Sequence, residues 1–437
     1  MRELMPESNR AVGLDIGTTR VSIVVAEKDE FGKLKVIATG SSHSDGLRRA
    51  TVVNINKTFA AIKTAVADVE REASLVIHGV NVALSGAHVH CMQSSSEISI
   101  NQTSIVNESD VHRFLEKAMV NIQNLDVNHE VIHVIPQEFI VDDQDRLLDP
   151  IGMSGTTMRG TVYIVVGLKT RIRNIRQCVE RAGLKIGALT FKSVALGIAV
   201  IKEREKKGGV LVIDIGGGTT EVAVFIRGAI HYSEVINVAA NDITHDIAHG
   251  VKVHDEVAEE LKIQYGYSDT RLSRKDEDIV IKDGEGHSQK TFPRSSLTMI
   301  IEARMMEIFE LVRDAVMVSG YYEEINAGVI LTGGGALLLG VVELARLVFG
   351  LDVRIGYPEA VSAGIQGTLY GPMDATVMGL VAHVYESNYS GDHSFATERD
   401  APEKLPPEPV DDILVVQEPC VAWKKVVDGL QDWWAKL

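Results

Sequence analysis

The chain has 437 residues, enough for a sizeable core arranged as two to four domains or one large bilobal unit. Its formal charge of −16 offers no basic stripe to displace counterions, which argues against a nucleic-acid binder. Three scattered cysteines, Cys91, Cys178 and Cys420, predict free thiols in a reducing compartment, and no apolar run approaches the roughly 20 residues that span a bilayer. The opening MRELMPESNR lacks the apolar core of a signal peptide, so a cytosolic protein is expected, meeting a membrane only at its surface.

In chain order, residues 11–25 (AVGLDIGTTRVSIVV) read as an apolar strand, an Asp-Ile-Gly turn and a second apolar strand. Helical periodicity follows over 56–73, a strand over 76–84, a helix over 108–124, strands over 131–135 and 161–166, and a helix over 171–183. Residues 210–226 (VLVIDIGGGTTEVAVFI) then repeat the opening pattern about 200 residues later, a spacing that predicts two similar halves. One helix is predicted over 243–264, a hairpin over 278–293, a helix over 299–320 and a strand over 329–332. After about residue 385 the proline-rich, polar segment up to 419 reads as a disordered linker. About 30 such residues reach roughly 30 Å on flexible-chain scaling.

The two Asp-Ile-Gly turns carry the chemistry. Each is followed by a strand, unlike a Walker loop or a dinucleotide fingerprint, which open a helix. Glycines in such a turn let backbone N–H groups approach an anion, and the threonines add donors. Gly17, Thr18 and Thr19 of the first turn and Gly216, Gly217, Gly218 and Thr219 of the second are therefore expected to clamp the phosphates of one nucleotide. Asp15 and Asp214 are expected to hold Mg²⁺ through its waters, because that ion dehydrates reluctantly. A third cluster, VILTGGGALLLG at 329–340, places Gly333, Gly334 and Gly335 at a strand-to-helix turn suited to adenosine or its α-phosphate. Glu259 and Lys262 lie three apart on one helical face; read alone, they are a surface pair worth a few tenths of a kcal/mol.

In this order, DIGTT, DIGGGT and LTGGGA resemble the phosphate-1, phosphate-2 and adenosine motifs of the actin, Hsp70 and sugar-kinase ATPase superfamily. The resemblance implies an α/β, bilobal actin-like (ribonuclease H-like) fold with Mg-ATP in the cleft, and makes Glu259 and Lys262 ribose and adenine contacts. HGVNVALSGAHV (78–89), HVIPQEFIVDDQDRLLDPIGMSG (133–155), TFKSVALGIAV (190–200), IEAR (301–304) and PMDATVMGLVAHVY (372–385) further resemble the FtsA family of bacterial actin homologues.

That resemblance implies subdomain 1A over 1–84 and 169–205, an FtsA-type 1C insertion over 85–168, and 2A over 206–240 and 321–370. It also implies 2B over 241–320, a closing helix over 371–385, a linker over 386–419 and a membrane-targeting helix over 420–437. The implied function is a division scaffold that binds ATP, polymerises with itself, ties FtsZ filaments to the inner face of the cytoplasmic membrane at the division site, and recruits later division proteins through 1C. Arg304, with Lys290 and Arg294 nearby, is the implied site for the FtsZ C-terminal peptide.

The last fifteen residues, WKKVVDGLQDWWAKL, hold all three tryptophans. Trp423, Val426, Val427, Leu430, Trp433, Trp434 and Leu437 fall on one helical stripe, with Lys424, Lys425, Asp428, Asp432 and Lys436 opposite. So short a helix is marginal in water, and a bilayer interface would stabilise it by burying that stripe.

Two departures from the superfamily pattern stand out. The first connecting helix reads FKSVALGIAV, with Lys192 and Ser193 where a Glu or Gln usually orients the attacking water. Nucleotide binding with slow or absent hydrolysis is expected. Ala239 and Ala240 precede Asn241, a candidate phosphate neighbour, where relatives often carry Gly. Two other readings remain open: a pilus-assembly PilM-like peptide binder, or an active ATPase or chaperone of the superfamily. His245 and His249 resemble a zincin pair but lack a Glu base and a third ligand, so a plain structural helix is expected.

Overall fold

The computed structural model describes residues 10–29, 33–100, 104–122, 126–272, 277–282, 289–358, 361–362 and 370–387. Two sheets organise it. The first has six strands in the order Lys185–Phe191, Gly79–Leu84, Arg10–Ile16, Arg20–Lys28, Leu34–His43 and Val361–Ser362. The second has five, in the order Ala229–Ile236, Thr220–Ile226, Val210–Ile215, Val329–Thr332 and Val353–Ile355. The repeated motif forms the same hairpin in each sheet. Asp15 faces Ser22 and Ile16 faces Val21 in one, and Asp214 faces Glu221 and Ile215 faces Thr220 in the other. These strands are apolar on both faces, as expected of strands covered on both sides by helices.

On the first sheet, helix Ile55–Ala73 buries Ile62, Ala65, Val66 and Val69. Its start is fixed by Asn54, whose side-chain oxygen accepts from the Lys57 N–H at 3.0 Å. Each large aliphatic side chain buried there contributes roughly 1.5–3 kcal/mol. The helix of Lys192–Val200 and the helix of Ala375–Ser387 pack together on this lobe, and they meet almost backbone to backbone. A Cβ on Gly379 would stand 1.9 Å from the Ala195 carbonyl oxygen. Any side chain there would push the two helices apart.

An inserted three-stranded sheet, Val89–Ser99, Thr157–Leu168 and His129–Val141 in that order, carries helix Glu108–Val120 on one face. Asn107 and Asp110 form a reciprocal capping box at that helix, and Phe114 packs edge-on against Phe139 at 5.2 Å. The insertion braces the second lobe. Gln137 Nε2 donates to the Ile230 carbonyl at 2.7 Å, and the Tyr163 hydroxyl meets Ser233 Oγ at 2.9 Å.

The second lobe buries a core of Ile243, Ile247, Leu297, Ile301, Met305, Phe309 and Val312 between helices Ala240–Val251 and Arg294–Ser319. The single helix expected over 243–264 is two, Ala240–Val251 and Asp255–Tyr265. The break is Lys252, which takes left-handed backbone (φ 59°) with its N–H on the Ala248 carbonyl. A lysine gives no sequence signal for that conformation. The helix expected from 299 begins at Arg294, directly after strand Gln289–Pro293 of the expected hairpin. Among the described residues no helix is long and apolar enough to cross a membrane. The linker beyond residue 387 and the tryptophan-bearing tail lie outside the described residues.

Candidate functional site

The two hairpin turns stand opposite one another. A Cβ added to Gly217 would come within 2.4 Å of Thr19 Cγ2, and one on Gly218 within 2.6 Å of Thr18 Oγ1. Only glycine allows this approach of one lobe's turn to the other's. Each turn is closed by a backbone bond, from the Gly17 N–H to the Arg20 carbonyl and from the Gly216 N–H to the Thr219 carbonyl, both 3.0 Å. Thr18 Oγ1 also accepts from the Ala50 N–H at 3.1 Å, which ties the first turn to the loop behind it.

The third turn completes the enclosure. Gly333 has φ +81°, and a Cβ there would meet Asp214 Oδ1 at 2.2 Å. Its N–H donates to the Pro372 carbonyl at 3.2 Å, and Thr332 Oγ1 donates to the same oxygen at 2.9 Å. The three turns enclose a cavity of about 170 Å³ lined by Asp15, Gly17, Thr18, Thr19, Asp214, Gly216, Gly217, Gly218, Thr219, Gly333 and Gly334. Gly335 lies behind them, packed on Ile215. Asn241 is held at the rim of the second turn, its N–H donating to the Gly217 carbonyl at 2.9 Å.

Sequence reasoning gave no role to the group that dominates the cavity floor. Lys192 projects from the first connecting helix of lobe one, and its Nζ lies 2.6 Å from Asp214 Oδ2 and 3.3 Å from Glu221 Oε1, both on lobe two. Ser85 Oγ also donates to Glu221 Oε1, while Glu221 Oε2 is buried without a hydrogen-bond partner. Burial works against the charge on Lys192, but the carboxylates of Asp214, Glu221 and Asp15 outweigh it and hold its pKa well above the ordinary lysine value. Burial raises the carboxyl of Asp15 despite the ammonium nearby, and raises that of Glu221 to about 7. The signal for this cluster was present as one lysine in an apolar helix, FKSVALGIAV.

A hydrated Mg²⁺ shared by Asp15 and Asp214 needs open carboxylates and oxygen donors. Here an ammonium already occupies Asp214. The donor set therefore does not fit the ion in the arrangement expected from sequence, and no chemical step is derived through it.

Glu259 and Lys262 do not line this cavity. Lys262 is buried rather than exposed, and burial lowers its pKa despite Glu259. Its Nζ meets Glu259 Oε2 at 2.7 Å, and donates to the Ala240 carbonyl at 3.0 Å and to Thr244 Oγ1 at 2.8 Å. The pair thus pins the start of the helix that follows the second turn.

Arg304 and Arg294 share one helix but lie ten residues, about 15 Å, apart along it. Arg304 is paired with Asp246 and Glu307, and Arg294 with Glu277 beside the Tyr267 ring at 4.9 Å. The backbone of Lys290 lies in strand Gln289–Pro293; its side chain, like the tail residues, is outside the described set. His245 pairs with Asp255 at 3.1 Å, and no cluster of three or more metal-ligating side chains occurs among the described residues. Cys91 and Cys178 are free thiols.

Comparison with known proteins agrees with this architecture. Residues 211–379 match the family described as "Cell division protein FtsA", and residues 86–166 match the "SHS2 domain inserted in FTSA". The chain is 33% identical over 380 residues to the cell division protein FtsA of Pseudomonas aeruginosa, covering 87% of this chain and 90% of that relative. It is 35% identical to that of Borreliella burgdorferi (86% and 91% covered) and 32% identical to that of Escherichia coli (87% and 91% covered). Among solved structures, a PilM-PilN type IV pilus biogenesis complex superposes with a TM-score of 0.61 at 18% identity, over 85% of this chain and 98% of that one. A Spiroplasma citri MreB bound to AMPPNP gives 0.51 at 14% identity, over 88% and 97%. With relatives of this identity spanning nearly their full length, and with the actin-like fold and its inserted domain in place, the chain belongs to the FtsA family of cell division proteins.

Proposed function

We propose that this protein is a nucleotide-loaded scaffold of bacterial cell division. ATP lies between the lobes, its phosphates against the turns at Gly17–Thr19 and Gly216–Thr219, with Gly333–Gly335 beside the α-phosphate and adenosine. The observation that carries this reading is the face-to-face approach of the two turns across a charged cavity. That cavity, about 170 Å³, is smaller than the roughly 300–1,000 Å³ of ordinary ligand sites, so the lobes must part to admit a whole nucleotide. Occupancy then sets the lobe angle, and the lobe angle sets how copies of the chain stack into a polymer. The helix at the cleft presents Lys192 and Ser193 and no acid or amide to orient water, which supports retention over rapid turnover.

In this reading the tail stripe of Trp423, Val426, Val427, Leu430, Trp433, Trp434 and Leu437 rests in the inner face of the cytoplasmic membrane. The FtsZ C-terminal peptide docks beside Arg304 on the second lobe, with Arg294 and Lys290 as further candidate contacts. The inserted sheet faces later division proteins. The test is a three-component sedimentation with vesicles containing anionic phospholipid, labelled FtsZ C-terminal peptide, and either the full chain or a truncation ending at Val421. The full chain should carry peptide into the vesicle pellet and the truncation should leave it in solution. Equal pelleting by both forms, or by neither, would overturn the membrane-tether reading.

A further inference from the structure

A cleft that receives a nucleotide must solve a charge problem. The phosphates of ATP are polyanionic, and this cavity already presents Asp15 and Asp214, with Glu221 just beneath. Two carboxylates lining the cavity, with a third acid buried beneath them, repel a triphosphate unless a cation stands between them. Actin-like clefts are expected to use a divalent ion for this. In this chain a protein cation is built into the position instead.

We propose that the ammonium of Lys192 takes the place of a metal ion in this cleft, bridging the lobes through Asp214 and Glu221 and facing the phosphates of the bound nucleotide, so that nucleotide binds without a divalent cation. The inference rests on the nucleotide reading above and goes beyond it. Several observations converge. Lys192 lines the same cavity as both phosphate turns. Its Nζ is within 2.6 Å of one carboxylate and 3.3 Å of a second. An ammonium has three N–H donors, so two bonds to carboxylates leave one for a phosphate oxygen. Glu221 Oε2 is buried without a partner, and Arg20, the other cation lining the cavity, is paired with Asp374 at 3.1 Å, which leaves Lys192 as the cation that meets both Asp214 and Glu221.

The geometry also fixes the lysine. Lys192 is the first residue of its helix, and the backbone N–H of the preceding Phe191 donates to His133 Nε2 at 2.9 Å. The close crossing at Gly379 and Ala195 holds the same helix from the other side. A cation delivered by so constrained a helix cannot leave with the product, as a hydrated ion can. It offers point charge without ordered water ligands, and so gives no metal-bound water for attack on the γ-phosphate.

The experiment is calorimetric titration of ATP into the full-length, nucleotide-free protein, once in excess EDTA and once in excess MgCl₂. The wild-type protein should bind with affinities that agree within about threefold, whereas loss of a charge-assisted contact would show as about tenfold or more. In Lys192→Met, affinity in EDTA should fall by about tenfold or more and be partly restored by MgCl₂. A wild-type affinity that collapses in EDTA would overturn the proposal while leaving the nucleotide reading intact. Lys192→Met binding like wild type in EDTA would equally overturn it, reducing the lysine to a structural pair. Absence of ATP binding by wild type in both buffers would remove the nucleotide reading itself and this inference with it. The wild-type comparison decides the question even if the variant, left with uncompensated buried carboxylates, fails to fold.

Discussion

Arg304 grips Asp246 with two guanidinium nitrogens, Nε to Oδ2 at 2.6 Å and Nη2 to Oδ1 at 3.0 Å. The same side chain also meets Glu307 one helical turn on. The basic group proposed to receive a carboxylate-bearing peptide is therefore held by two acids, which fix its direction and must share it. Reversing the charge with Arg304→Glu should weaken binding of the FtsZ C-terminal peptide by about tenfold or more, on the scale of a lost charged hydrogen bond. Asp246→Asn, which removes one of the two acids competing for the guanidinium, should leave affinity unchanged or raise it. Fluorescence anisotropy with labelled peptide reads both. If Arg304→Glu binds like wild type, Arg304 is a structural tie between the two helices only.

Gly217 has no spare volume against Thr19, whose Cγ2 would lie 2.4 Å from an added Cβ. Its backbone is not left-handed, so the obstacle is the opposing lobe and not local strain. Gly217→Val should keep the lobes from closing on nucleotide. The expected result is a drop in ATP affinity of about tenfold or more with a melting temperature within a few degrees of wild type. Gly333→Ala differs, because left-handed backbone and the Asp214 oxygen at 2.2 Å both oppose it. That variant should lose about 1–3 kcal/mol of stability as well. Equal thermal destabilisation of the two variants would contradict the distinction.

His133 couples the inserted sheet to the Lys192 helix. Its Nε2 accepts the Phe191 N–H, a bond only the neutral ring can make, and burial with the nearby His383 lowers its pKa to about 4. The unfolded chain, with an ordinary histidine near 6.5, binds the proton more tightly. Stability should therefore rise with pH between about 4 and 6.5 and be lost on acidification through that window. Between pH 7 and pH 5 this one group should remove about 2 kcal/mol. His88, lowered to about 4 by burial and by Arg171, adds in the same direction. Denaturant titrations at several pH values should show the slope, and His133→Gln should flatten part of it. A wild-type slope of opposite sign would contradict the assignment.

The Asp-Ile-Gly turns and the Leu-Thr-Gly cluster were legible because their chemistry is local: a strand end, small residues and a reversal within a few positions. The two halves followed from the repeated motif and most helices from periodicity, whereas the insertion came from the resemblance to the FtsA family. The break at Lys252 was not legible, since a non-glycine residue took the left-handed conformation under tertiary control. Nor was the burial of Lys262, which depends on a helix carbonyl 22 residues away in sequence. Lys192 stood out as a departure in its helix, yet its partners Asp214 and Glu221 belong to the other lobe. Pairing across a cleft leaves no trace in sequence spacing.

The central claim is that nucleotide sits between the two turns and bridges the lobes. Hydrogen–deuterium exchange of the full-length protein, with and without saturating ATP, tests it without any substitution. The account predicts slowed exchange in peptides covering residues 16–20, 215–220 and 333–336, on both lobes together. Unchanged exchange in these three segments at a concentration where binding is established would contradict it.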